Sequence, residues 1–149
     1  MKKIDFRKFL LFKLPLAYIA GIRLKEYTDE KAVIRVNYNW WTQNPFKSMF
    51  WAVQGMAAEL ATGTLCFNKI RNNNKKISML LIGMEAEFTK KAKGEIQFIC
   101  DQGKEVDQLL QKLDEPGQSA IIELISTGYT ENGEKVASFR FKWSFMAKE

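Results

Sequence analysis

The stretch NPFKSMFWAVQGMAAEL, residues 44–60, decides how the rest of the chain is read. Pro45 suits the first turn of a helix and Asn44 suits its cap. The pattern predicts a helix from there to about residue 69. Hydrophobic residues occur nearly all round it, so its surroundings must be apolar. A helix turns by about 100° per residue. Ser48, Ala52, Gly55, Glu59, Thr62, Gly63 and Cys66 therefore share roughly one stripe. All but one are small, and small residues let another backbone approach closely. Gly55 is then the sensitive point, since a leucine there would force a neighbouring sheet away. Glu59 breaks the pattern. A buried, ionised carboxylate is expensive unless it is paired or hydrogen-bonded. Either Glu59 meets a Lys or Arg from a neighbouring strand or subunit, or it is a general base or nucleophile tuned by desolvation.

Working outward, residues 4–14 form a short amphipathic helix stopped by Pro15. Its expected role is to cover one end of the core rather than to dock on a membrane. Residues 17–28 read as a strand, 28–31 as a turn, and 32–40 as a second strand with period-two alternation. Ala32, Ile34, Val36, Tyr38 and Trp40 point one way; Val33, Arg35, Asn37 and Asn39 point the other. After the long helix comes a basic loop, 71–76. Strands follow at 77–89 and 94–102, joined by KKAKG. Residues 104–115 form a helix ended by Pro116 and Gly117. A last hairpin turns at 131–134, and its second strand sets Phe139, Phe141, Trp143 and Phe145 on one face. The order predicts an α+β domain, residues 1–149, with a strongly curved antiparallel sheet wrapped around one long central helix.

Composition narrows the function. The 149 residues are 46% hydrophobic and 13% aromatic, which excludes a disordered chain. The net charge of +6 suits an anionic ligand, a nucleic acid or a membrane surface, and also suits plain solubility. The sequence has no histidine, so zinc sites and His-based triads are excluded. The two cysteines have no metal-ligand spacing and suggest no disulfide framework, so no metal is expected and a reducing cytoplasm is the default. No run is long enough for a membrane span.

The hairpin, the Asn-Pro before a long buried helix and the carboxylate midway along it resemble the hotdog-fold thioesterase superfamily. The likeness is to its phenylacetate-degradation branch. The motif there, Asn-Pro-x-Gly-x-x-His-Gly-Gly, is met here by Asn44-Pro45-Phe46-Lys47-Ser48-Met49-Phe50-Trp51-Ala52. FTKKAKGEIQF, residues 88–98, is similar to its Phe-x-Arg-Pro-Ala-x-x-Gly stretch. Phe50 replaces the motif histidine, and Trp51 and Ala52 replace the two glycines. This marks a divergent branch and disfavours dehydration, which needs that histidine; thioester hydrolysis does not.

The resemblance implies an acyl thioester substrate, with Glu59 at the catalytic acid's position and the Trp51 N–H polarising the carbonyl. A helical start at Pro45 would put Trp51 one or two turns in, where its N–H is free only if the helix start is irregular. Asn44 either caps the helix or orients water or substrate. Lys90, Lys91 and Lys93 stand where the family meets the coenzyme A phosphates, unless they are only a solvated turn. Arg71, Lys75 and Lys76 are a second basic candidate. Coenzyme A enters as part of the substrate, and no separate cofactor is implied. The resemblance also implies a dimer or tetramer with the acyl site between subunits. An acyl-CoA hydrolase and a non-catalytic module that holds acyl groups both fit. Nucleic-acid binding rests on charge alone and is not expected.

Overall fold

A computed structural model of the protein describes residues 3–149. The expected single unit of residues 1–149 includes residues 1 and 2, which lie outside that range. Helix α1 (Lys3–Lys13) leads into a short α2 (Pro15–Ile19), then strands β1 (Arg23–Tyr27) and β2 (Ala32–Asn37). The long helix α3 (Trp51–Arg71) follows, then β3 (Ile77–Phe88), β4 (Glu95–Cys100), α4 (Gly103–Gln111), β5 (Ser119–Thr130) and β6 (Lys135–Ala147). The six strands form one curved sheet in the order β1-β2-β4-β5-β6-β3, with every pairing antiparallel. Among the described residues no helix is long and apolar enough to cross a membrane.

The sheet's inner face carries the expected alternation. Ile34 and Val36 on β2, Ile96 and Phe98 on β4, and Phe139, Phe141 and Phe145 on β6 are buried. The rings interlock: Phe98 meets Phe139 edge-on at 5.9 Å, and Phe139 stacks on Phe141 at 5.8 Å. Helix α3 lies across this face and buries Ala57, Ala58, Ala61, Leu65 and Cys66. The small side chains of Ala57, Ala58, Ala61 and Cys66 bring the helix axis close to the strands.

Several expectations are corrected. Residues 17–28 are not one strand, because α2 carries the chain on from α1 with Tyr18 N–H donating to Leu14 O and Ala20 N–H to Leu16 O. Helix α1 does end before Pro15, as expected: Leu14 leaves helical geometry at φ −135° and ψ 62°, and Pro15 opens the new helix α2, where its missing N–H costs nothing. Strand β2 ends at Asn37, and Trp40 lies outside as a 73% exposed ring set edge-on to Trp41.

The stripe of small residues is corrected too. Ser48 precedes α3, while Ala52, Gly55, Glu59 and Gly63 are only half-buried. A Cβ on Gly55 would meet nothing tighter than the Phe139 ring at 3.7 Å, an ordinary contact. No backbone approaches there. Along Ala52, Gly55, Glu59 and Gly63 the sheet leaves α3 partly open, while Thr62 and Cys66 are fully buried.

Candidate functional site

The segment before α3 is a loop rather than a helical turn. Asn44 Oδ1 accepts the N–H of Phe46 at 2.9 Å and both the N–H and the hydroxyl of Ser48 at 3.3 Å. Its Nδ2 donates to Met49 O at 3.3 Å. Lys47 takes a left-handed φ of 59°, and the Met49 and Phe50 N–H groups are tied to Ala92 O and Thr42 O. These ties hold residues 44–50 out of the helix. Asn44 is therefore not the cap. Phe50 occupies the cap position, with no side-chain bond to the helix end.

This places Trp51 at the first position of α3. The first intrahelical donors are Val53 and Gln54, both to Phe50 O. No backbone acceptor takes the Trp51 N–H among the described residues. It sits at the positive end of the helix dipole, where a developing negative charge is stabilised. Trp-Ala thus reaches the geometry that two glycines would have favoured, because the Asn44 loop delays the helix.

A groove of about 490 Å³ opens at this end of α3. Asn44, Trp51, Lys90 and Lys91 all line it; Lys93 is exposed nearby in the chain but does not. Lys91 Nζ donates to Phe46 O at 3.1 Å, and exposed Lys90 lies 3.1 Å from Glu134. Gln54, which no motif or spacing singled out, also lines the groove. It is buried, its Nε2 donates to Met49 O at 3.3 Å, and its Oε1 has no partner. Arg71, Lys75 and Lys76 lie at or beyond the other end of α3, about 30 Å along its axis from Trp51. Lys75 is already paired with Asp114 at 2.6 Å.

Glu59 belongs to a different place. It faces an apolar pocket of about 180 Å³, walled by Phe6, Phe9 and Leu14 from the N-terminal segment and by Phe67, Met79 and Trp143. Among the described residues no Lys or Arg pairs with it, so the ion pair weighed above is not formed among them. Burial pushes its carboxyl above the usual carboxylate range. Beneath it, Thr62 ties the helix to the sheet: its hydroxyl donates to Glu59 O and accepts from the Trp143 indole N–H, both at 2.9 Å. Glu59 and Trp51 are eight residues apart, which is about 12 Å along the helix. One chain does not bring them together.

Both cysteines are buried, and burial raises both thiols, Cys100 to about 11. Neither is an activated nucleophile.

A family model described as a domain of unknown function, DUF4442, matches residues 2–145. No curated protein matches the chain. Solved structures do. A Pseudomonas aeruginosa protein, named a protein of unknown function and probable thioesterase, is 20% identical with a TM-score of 0.80, over 97% of this chain and 95% of that one. A Chlorobaculum tepidum protein of unknown function is 15% identical with a TM-score of 0.82, over 99% and 94%. A Haemophilus influenzae thioesterase is 11% identical with a TM-score of 0.74, over 99% and 92%. These likenesses show the fold: a curved antiparallel sheet around a long helix, the hotdog fold.

Proposed function

The chain belongs to the DUF4442 family, and from its site we propose that it hydrolyses acyl thioesters, with acyl-CoA as the substrate class. One observation carries the reading. A carboxylate that meets no cationic partner among the described residues faces an apolar pocket midway along the same helix whose first turn leaves an N–H free.

The two halves need a second copy of the chain. Strand β3 is an edge of the sheet and exposes Leu80, Ile82 and Met84, an apolar edge that a lone chain leaves unpaired. The half-open strip of α3 adds to it. In the paired protein, Glu59 of one copy works with the Trp51 N–H of the other. Glu59 takes a proton from water, and the water oxygen bonds to the thioester carbon. The carbonyl oxygen becomes negative and is held by the Trp51 N–H. The intermediate then collapses, the carbon–sulfur bond breaks, and the leaving thiolate takes the proton from Glu59. The products are a carboxylic acid and a thiol. Direct attack by the carboxylate on the carbonyl carbon, followed by hydrolysis of the anhydride, uses the same geometry. Lys90 and Lys91 give the groove positive charge for the coenzyme A phosphates, and exposed Lys93 adds to it from two residues further along the chain.

A non-catalytic holder of acyl groups is the second reading, favoured by the 12 Å separation in one chain (about eight residues of helical rise). Two measurements decide. Purified protein should release free thiol from at least one of a series of short, long and aromatic acyl-CoAs. Sedimentation at micromolar concentration should show a dimer or larger. Binding without thiol release favours the holder; a 17.3 kDa species alone removes the shared site.

A further inference from the structure

We infer that α1 is the wall that sizes the acyl group, and that the protein takes compact acyl groups of about six to eight carbons, straight or aromatic. The inference rests on the acyl-thioester reading of the Glu59 pocket and adds the substrate's size.

One wall of the pocket is aromatic and is built by Phe6 and Phe9 of the chain's first helix together with Phe67 of α3. The Phe9 ring lies 5.6 Å from Phe67 on α3 and 6.5 Å from Phe6, so the three rings form one continuous barrier. Phe6 is fully buried, which fixes α1 on the core, whereas Phe9 is only half-buried and faces the cavity. Leu10 is fully buried beside Phe6, so α1 is anchored at two successive turns. The barrier does not depend on a mobile loop. The volume of about 180 Å³ sets the size. An apolar cavity of about 150 Å³ holds one benzene. The space therefore accepts a phenyl ring or a chain of comparable bulk, and a longer chain runs into Phe9. Among the described lining residues only Glu59 and Thr64 are polar, which suits an apolar acyl tail.

The test is a chain-length series from acetyl-CoA to palmitoyl-CoA, with phenylacetyl-CoA added. Turnover is measured with the parent, Phe9→Ala and Phe12→Ala. Phe12 is on the same helix but 77% exposed and away from the cavity. Binding of the same series is measured on Glu59→Gln by fluorescent displacement. In the parent, kcat/KM should rise about fourfold per methylene up to the limit and fall about tenfold by palmitoyl. Phenylacetyl-CoA should match the best straight chain. Phe9→Ala should restore palmitoyl-CoA to the level of the best chain; Phe12→Ala should not. A parent profile that keeps rising to palmitoyl, or an equal shift in both variants, overturns the inference. Should Phe9→Ala fail to fold, Phe9→Leu and the parent profile decide. Absence of turnover with a binding optimum at the expected length would sink the hydrolase reading and leave this one standing. A flat binding profile would sink this one.

Discussion

The groove at the start of α3 and the pocket around Glu59 sit on one helix and are built from different materials. The groove is open and mixed: Phe46, Phe50, Trp51 and Phe88 line it beside two amides and two lysines, and Asn44 and Lys91 are already hydrogen-bonded to the loop before α3. The pocket is apolar and holds one carboxylate with no cationic partner among the described residues. The first region suits charge and backbone recognition, where donors already point in fixed directions. The second suits proton transfer, because a desolvated carboxyl is a stronger base than an exposed one. The difference teaches that position along α3 sets the chemistry: its first turn offers N–H groups, and its middle offers only side chains.

The comparison breaks most sharply at Glu59. Glu59→Gln should cut turnover by about a hundredfold to ten-thousandfold and leave acyl-CoA affinity nearly unchanged. Retained hydrolysis in this variant would take Glu59 out of the chemistry. The raised carboxyl also fixes two pH effects. Activity that needs ionised Glu59 should be lost, as pH falls, earlier than for an ordinary carboxylate. For stability the sign is opposite. The unfolded carboxyl ionises first, so folding loses stability as pH rises from the ordinary carboxylate range through the raised native value, then levels off. Thermal melts of parent and variant should therefore converge at acid pH and separate toward neutrality, with Glu59→Gln the more stable.

The groove should respond differently, through structure. Asn44→Ala removes the acceptor of three donors and the donor to Met49 O, and should cost about 1–3 kcal/mol in a denaturant melt. A variant as stable as the parent would mean that the loop does not need Asn44 to hold back the helix start. Smaller again is Lys90→Ser/Lys91→Ser/Lys93→Ser. It should weaken acyl-CoA binding and flatten its salt dependence, while scarcely affecting a short acyl thioester that lacks the nucleotide. Equal losses for both ligands would point to damage in the acyl pocket instead. The smallest effect is expected at Gly55. Its added Cβ meets only Phe139 at 3.7 Å, so Gly55→Ala should be neutral or stabilise α3 by up to about 1 kcal/mol. A clear loss would restore the tight seam that the spacing of small residues suggested.

Features encoded in periodicity were legible from the residues alone. Alternation placed Phe139, Phe141, Trp143 and Phe145 inward on β6, and all four are buried. Apolar residues round α3 required a sheet to cover it, and Glu59 stood out because a carboxylate in such surroundings is costly. Other features were decided only in three dimensions. Asn44-Pro45 reads as a helix start, yet long-range ties from Thr42 and Ala92 hold the segment in a loop and move the first free N–H to Trp51. Local capping preference is worth about 1 kcal/mol and yields to several such bonds. The wall opposite Glu59 could not be read either. Phe9 and Phe67 are 58 residues apart in the chain, and only packing of α1 against α3 sets their rings 5.6 Å apart. Periodicity says which face of an element is apolar; which neighbour that face meets, and how much room is left between them, is fixed by the tertiary packing alone.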